Sequence, residues 1–312
     1  MLGQAPTLTR REVADLAGVP FELSEELWRL LGFPHAADDD IAFTQADVDA
    51  LKATVELMNL GVVSPESQSA LVRTWARSFA RLAEWQTGLL AEMAVGQGTP
   101  HERLIDLSRE VLPRMELLQN YIWRRHLASA TNQLLAVDDA GTGGVQLTIG
   151  FVDIVGYTSR SKHLDQAELV SWIEYFENEV IGVVTDNAGR VIKTIGDEVL
   201  FVTDDPADAV EIALILTARG EDETDQFPSV RAGIAYGEVV RRLGDVFGPT
   251  VNIAARLTSV SRPGAVIADK GAHDTLCADH GSKPEKSLVF RRLRRVSVKG
   301  YSRLDAWVVR RA

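Results

Sequence analysis

The spacing of apolar residues changes character near the middle of the chain. Up to about residue 137 they recur every third or fourth position, most clearly over 67–93 and 101–135, the stripe of a helix that buries one side. Beyond residue 145 short β-branched runs take over, at 146–154, 190–195, 199–203, 230–235, 265–268 and 306–309. Longer helical patterns at 166–186, 206–218 and 250–260 lie between them. The order strand, helix, strand, strand, helix, strand predicts an α+β domain with a split βαβ arrangement, its helices covering one face of a mixed sheet.

Between the two textures stands Asp138-Asp139-Ala140-Gly141-Thr142-Gly143-Gly144, whose closely spaced glycines read as a flexible hinge. The chain is therefore expected to divide into an all-helical domain over 1–137, a linker over 138–144 and the α+β domain over 145–312. A length of 312 residues agrees with two domains, and 46% apolar with 25% charged residues is ordinary globular composition.

Charge and cysteine content narrow the partners. The formal net charge of −11 argues against an extended polyanion, so no nucleic acid is expected. A single cysteine, Cys277, excludes an intramolecular disulfide and any multi-cysteine metal centre. No apolar run has the length of a membrane span, and residues 1–10 lack a secretory pattern; the expectation is a cytoplasmic protein with no transmembrane segment.

The first seventy residues carry one further signal. Leu8-Thr9-Arg10-Arg11-Glu12-Val13-Ala14-Asp15-Leu16-Ala17-Gly18-Val19 reads as helix, glycine turn, helix, and another helix follows from Thr44. The segment resembles the helix-turn-helix half of MerR-type regulators. Residues 1–70 nevertheless hold 4 Lys+Arg against 12 Asp+Glu, the wrong sign for neutralising phosphates, so the motif is read as a helical scaffold.

Three clusters in the second half carry chemistry. In Phe151-Val152-Asp153-Ile154-Val155-Gly156-Tyr157-Thr158 an apolar strand ends on a carboxylate and a glycine turn follows, suited to a hard cation and phosphate oxygens. In Lys193-Thr194-Ile195-Gly196-Asp197-Glu198-Val199 a tight turn presents Lys193, Asp197 and Glu198. If the two strands pair, Asp153 and Asp197 form a two-carboxylate site for Mg²⁺ or Mn²⁺ and a triphosphate. In Phe247-Gly248-Pro249-Thr250-Val251-Asn252-Ile253-Ala254-Ala255-Arg256-Leu257 an amide and a guanidinium lie four apart on one helix face, suited to a sugar oxygen and a phosphoryl group. Taken singly, each has an ordinary structural reading: a capping Asp, a hairpin tip, a surface Asn and Arg.

Together, and with Val298-Lys299-Gly300 before the last strand, these strings resemble the catalytic domain of class III nucleotidyl cyclases, over about residues 145–310. The resemblance implies a ferredoxin-like (βαββαβ) catalytic domain preceded by an all-α regulatory domain. It implies that Asp153 and Asp197, with the backbone carbonyl of Ile154, hold two Mg²⁺ or Mn²⁺ ions per active site. Lys193 and Asp245 would read the purine, Asn252 would place the ribose, Arg256 would steady the charge at the α-phosphorus, and Lys299 would meet the terminal phosphates. A Lys donor and an Asp acceptor match adenine N1 and its amino group, whereas guanine presents the reverse pattern, so ATP is the expected substrate and cyclic AMP the product. In the family each site spans two subunits, which implies a homodimer. The link from Gly237 to Gly244 is shorter than the dimerising arm of many membrane-bound relatives, leaving contact area for the upstream domain to supply.

The helical half resembles that of the soluble pH-sensing adenylyl cyclases, on the general pattern over 8–135 and on Leu118-Gln119-Asn120-Tyr121-Ile122-Trp123-Arg124-Arg125-His126-Leu127. The likeness implies autoinhibition, a fatty acid or lipid as a possible ligand of the N-terminal domain, and His126 as a switch, since imidazole titrates in the physiological range. Trp28, Trp75, Trp85 and Trp123 are expected in the helical core. Two alternatives stay open: a catalytically silent cyclase fold acting as a regulatory or DNA-binding module, and a diguanylate cyclase, whose motif the Gly196-Asp197-Glu198 triplet matches only in part.

Overall fold

The computed structural model describes residues 4–61, 65–94, 100–137, 145–278, 288–294, 296–298 and 301–312. Two compact units divide the chain, 1–141 and 142–312. The expected linker and Lys299 lie outside the described residues.

The first unit is built from α1 (Arg10–Ala17), α2 (Phe21–Leu31), α3 (Gln45–Asn59), α4 (Pro65–Ala94) and α5 (Pro100–Val137). A reciprocal Thr9–Glu12 capping box starts α1, and Gly18 ends it in the left-handed region at φ 70°, which gives the helix, turn, helix read from the sequence. Val13, Leu27, Trp28, Phe43, Val48, Leu51 and Val72 form its core. An antiparallel bridge between Leu8 and Phe43 closes this group. Of the four tryptophans expected inside, only Trp28 is buried. Trp75, Trp85 and Trp123 are 40%, 63% and 58% exposed, a correction to the sequence reading. The cause is geometric: a long α-helix offers several faces, and α4 and α5 cover only part of each other within this unit.

The second unit follows the expected order: β1 (Val145–Ile154), α6 (Tyr157–Ser161), α7 (Gln166–Asp186), β2 (Arg190–Ile195), β3 (Glu198–Thr203), α8 (Pro206–Glu221) and β4 (Val230–Arg242). After these come β5 (Asp245–Phe247), α9 (Pro249–Val260), β6 (Val266–Asp269), α10 (Lys270–Ala278), β7 (Leu288–Arg292), β8 (Val296–Val298), β9 (Tyr301–Leu304) and β10 (Ala306–Arg311). The main sheet runs β2-β3-β1-β4-β6-β10-β7, and β5 pairs with β4. Its first four strands, all antiparallel to their neighbours, give the ferredoxin-like βαββαβ order, while β4 and β6 are parallel.

Helices cover both faces of the sheet, not one. Val152, Ile154, Val199 and Phe201 pack with α7 and α8 residues such as Phe176, Val180, Ile212 and Leu216. Leu147, Ile149, Phe151, Leu200 and Val202 point the other way and pack with Ala254 of α9. The reason lies in β1: six consecutive buried residues, 147–152, alternate between two apolar sides, and each side needs a cover.

Candidate active site

The β1 register decides which side chains can meet. Asp153 lies across from Glu198 on β3 and from Arg231 on β4, and directly opposed residues share a face. Phe151 and Leu200 put that face on the α9 side of the sheet. The β2–β3 connection is a two-residue turn that needs a positive φ, and Gly196 supplies it at 66°. The Ile154 amide donates to the Asp197 carbonyl at 3.2 Å, which ties this turn to the end of β1.

Asp153, Asp197 and Glu198 thus converge on one sheet edge. Burial raises the Asp153 proton affinity, opposed by Arg231 and reinforced by Asp197. Burial raises Glu198 further, to about 7, helped by the charges of Asp153 and Asp197. Arg231 donates from Nε to Asp153 Oδ2 at 2.7 Å and from Nη1 to the Ser259 carbonyl at 3.2 Å, and its Nη2 stands in ion-pair contact with the same Oδ2 at 2.6 Å. Sequence reading passed over Glu198 as a turn residue and missed Arg231 altogether. The signal for Arg231 is a charged residue inside an otherwise apolar strand, Val230-Arg231-Ala232-Gly233-Ile234.

This donor set fits a small hard cation. Two carboxylates close enough to oppose each other's ionisation favour a divalent ion between them, and magnesium asks for few protein ligands. Among the described residues no three His, Cys, Asp or Glu side chains form a complete metal cage. The remaining coordination positions would fall to backbone oxygen, phosphate and water. Ile154 itself is buried.

Lys193 and Asp245 form a second pair. Lys193 Nζ stands 2.5 Å from Asp245 Oδ2, and Asp245 Oδ1 accepts from the Val246 amide at 2.8 Å. The two are brought together because β4 runs on past the expected residue 235 to Arg242 and turns back as β5. The turn is Leu243-Gly244, with φ of 54° and 77°, the double positive φ of a tight hairpin. A short arm therefore exists where sequence reading saw only a shortened link. Its Val240, Leu243 and Phe247 are exposed, as is Ile195 on β2.

Asn252 and Arg256 sit on α9, both exposed. The helix buries Ala254, Leu257 and Thr258 against the sheet, so at 100° per residue the Asn252–Arg256 face points away from it. The structure thus joins the carboxylates to each other and Lys193 to Asp245, but turns Asn252 and Arg256 away from their own Asp153. His126 is exposed on α5, in the first unit.

Residues 144–311 match the family model for the adenylate and guanylate cyclase catalytic domain. The chain belongs to this cyclase family. A protein named adenylate cyclase from Glutamicibacter nicotianae is 36% identical over 299 residues, covering 89% of this chain and 74% of that one. Another of that name from Streptomyces griseus is 37% identical over 291 residues, covering 91% and 72%. A pH-sensitive adenylate cyclase of Mycobacterium tuberculosis is 29% identical over 292 residues, covering 89% and 71%. The likeness to these proteins therefore extends through the helical half as well as the cyclase domain. Among the described residues no helix is long and apolar enough to cross a membrane.

Proposed function

We propose that this cyclase is an adenylyl cyclase, converting ATP to 3′,5′-cyclic AMP and pyrophosphate at two sites, each shared between two copies of the chain. The Lys193–Asp245 pair carries the substrate assignment. Lying side by side, the ammonium and the carboxylate offer a donor and an acceptor, the complement of adenine N1 and its amino group. Guanine would set donor against donor and acceptor against acceptor. The relatives named adenylate cyclase support the same choice.

The direction of α9 supports sharing between copies. Asn252 and Arg256 face away from the sheet that carries Asp153, so one chain does not enclose a nucleotide with both sets. A second copy related by two-fold symmetry supplies the missing set to each site. The exposed apolar residues Ile195, Val240, Leu243 and Phe247 are suited to the contact.

Within such a site Asp153, Asp197 and the Ile154 carbonyl would hold two Mg²⁺ or Mn²⁺ ions, which when bound lower the proton affinity of the ribose 3′-hydroxyl and neutralise phosphate charge. Asn252 orients the ribose so that its 3′-oxygen lies in line with the α-phosphorus. The 3′-oxygen–phosphorus bond forms as the bond to pyrophosphate breaks. Arg256 steadies the charge that gathers on the α-phosphoryl oxygens, and Lys299 meets the terminal phosphates. The helical unit, 1–137, restrains the catalytic unit and releases it in acid, with His126 as the switch residue; the name of the pH-sensitive relative supports this.

The test is product analysis of the purified full chain. With ATP and Mn²⁺ it should form cyclic AMP and pyrophosphate, with much less cyclic GMP from GTP. Absence of cyclic AMP under these conditions, or equal turnover of GTP, refutes the assignment. A His126→Ala chain that keeps the full response to acid removes the switch from this residue.

A further inference from the structure

The guanidinium of Arg231 closes on a single oxygen, Asp153 Oδ2: Nε donates to it at 2.7 Å and Nη2 lies in ion-pair contact at 2.6 Å. This contact is held in place from both ends. The backbone of Arg231 is locked opposite Asp153 by the β1–β4 register, and its third nitrogen is fixed to the Ser259 carbonyl at the end of α9. The Asp153 side chain is mostly buried, 14% exposed, so water weakens the pair less than it would at the surface. A cation taken up by Asp153 must therefore share a carboxylate that already carries a guanidinium, and it would stand as a like charge beside it.

We propose that Arg231 gates the metal carboxylate: it competes with a divalent cation for Asp153, so that without nucleotide the protein takes up metal weakly. The inference rests on the reading of Asp153 as a metal ligand. Its consequence is a coupling between ligands. A polyphosphate brings negative charge that relieves the repulsion between guanidinium and metal, so nucleotide and metal each tighten the binding of the other. Metal then enters with the nucleotide or after it, and the nucleotide-free protein holds little of it.

The experiment titrates Mn²⁺ alone into the nucleotide-free full chain and follows the paramagnetic resonance of free Mn²⁺. Arg231→Gln removes one positive charge from beside a divalent site and is expected to tighten binding about tenfold. Arg231→Lys, which keeps the charge but loses the guanidinium's fixed geometry between Asp153 and the Ser259 carbonyl, should also bind more tightly than the parent, by less. Asp153→Asn should weaken binding and cancel the gain in the double variant. If Asp153→Asn weakens binding while Arg231→Gln binds no more tightly than the parent, the gate is overturned and the metal assignment stands. If Asp153→Asn leaves binding unchanged, the metal assignment itself fails. Should Arg231→Gln not fold by circular dichroism, Arg231→Lys decides, and an affinity no higher than the parent's overturns the gate.

Discussion

Lys193 and Asp245 are 52 positions apart in sequence, yet Nζ and Oδ2 meet at 2.5 Å. Lys193 comes from an edge strand and Asp245 from the returning half of a short arm, so the pair depends on β4 extending far enough to fold β5 back beside β2. Neither side chain is fully buried, which leaves both within reach of a base.

Substitution of either partner leaves the other as a single unmatched charge in a site built for two. Lys193→Ala and Asp245→Ala are each expected to lower kcat/KM for ATP by about a hundredfold or more, while discrimination against GTP narrows. Cyclic AMP and cyclic GMP formation measured side by side decides this. Preserved discrimination in both variants would move purine recognition elsewhere.

The carboxylates admit a different test. Asp153→Ala and Asp197→Ala should each reduce kcat by at least about two orders of magnitude in protein that circular dichroism shows to be folded. Chelation of divalent ions should abolish the parent's activity, and Mn²⁺ should restore it. Activity that survives chelation would rule out metal dependence.

What the sequence made legible were features with local causes. Alternation and helical stripes placed β1, α7, β2, β3, α8 and α9 to within a few residues, because each is set by neighbours along the chain. Strand β5 was missed because it has three residues and exists only by pairing with β4. The Arg231–Asp153 contact spans 78 positions and is fixed by a register that no local pattern specifies. The direction of Asn252 and Arg256 also needed the fold: their i, i+4 spacing shows that they share a face, but only the burial of Ala254 and Leu257 shows which way that face points. For Trp75, Trp85 and Trp123 apolarity was legible but a packing partner was not, and apolarity alone does not bury a side chain.

Acid should loosen the loop between α8 and β4. Asp225 accepts from Arg219 Nε at 2.7 Å and from the Phe227 amide at 2.8 Å, and the bond to Arg219 is the main cause holding its carboxyl below the ordinary 3.8. A lowered folded-state value means that the unfolded chain takes up the proton first. The contribution to stability is therefore complete above the unfolded value and is lost as pH falls through the folded one. Thermal melts between pH 3 and 7 should show the parent losing stability below about pH 4 more steeply than Asp225→Asn. The variant should melt lower at pH 7. Equal acid slopes would show that this pair does not govern the acid response.

The proposed sharing of each site between two copies makes a prediction that a self-contained site cannot. Asp153→Ala damages the carboxylate set and Arg256→Ala the phosphoryl-steadying set, so each homodimer has two broken sites. A mixed dimer has one site carrying both lesions and one carrying neither. If the chains exchange freely, half of the dimers are mixed and half of their sites intact, so an equimolar mixture should regain about a quarter of the parent activity. Two lesions in the same functional set, Asp153→Ala mixed with Asp197→Ala, should regain none, because every site draws both carboxylates from one chain. No recovery in the first mixture, once exchange of subunits is shown, would mean that each chain carries its own complete site; recovery in the second would mean that Asp153 and Asp197 serve different sites.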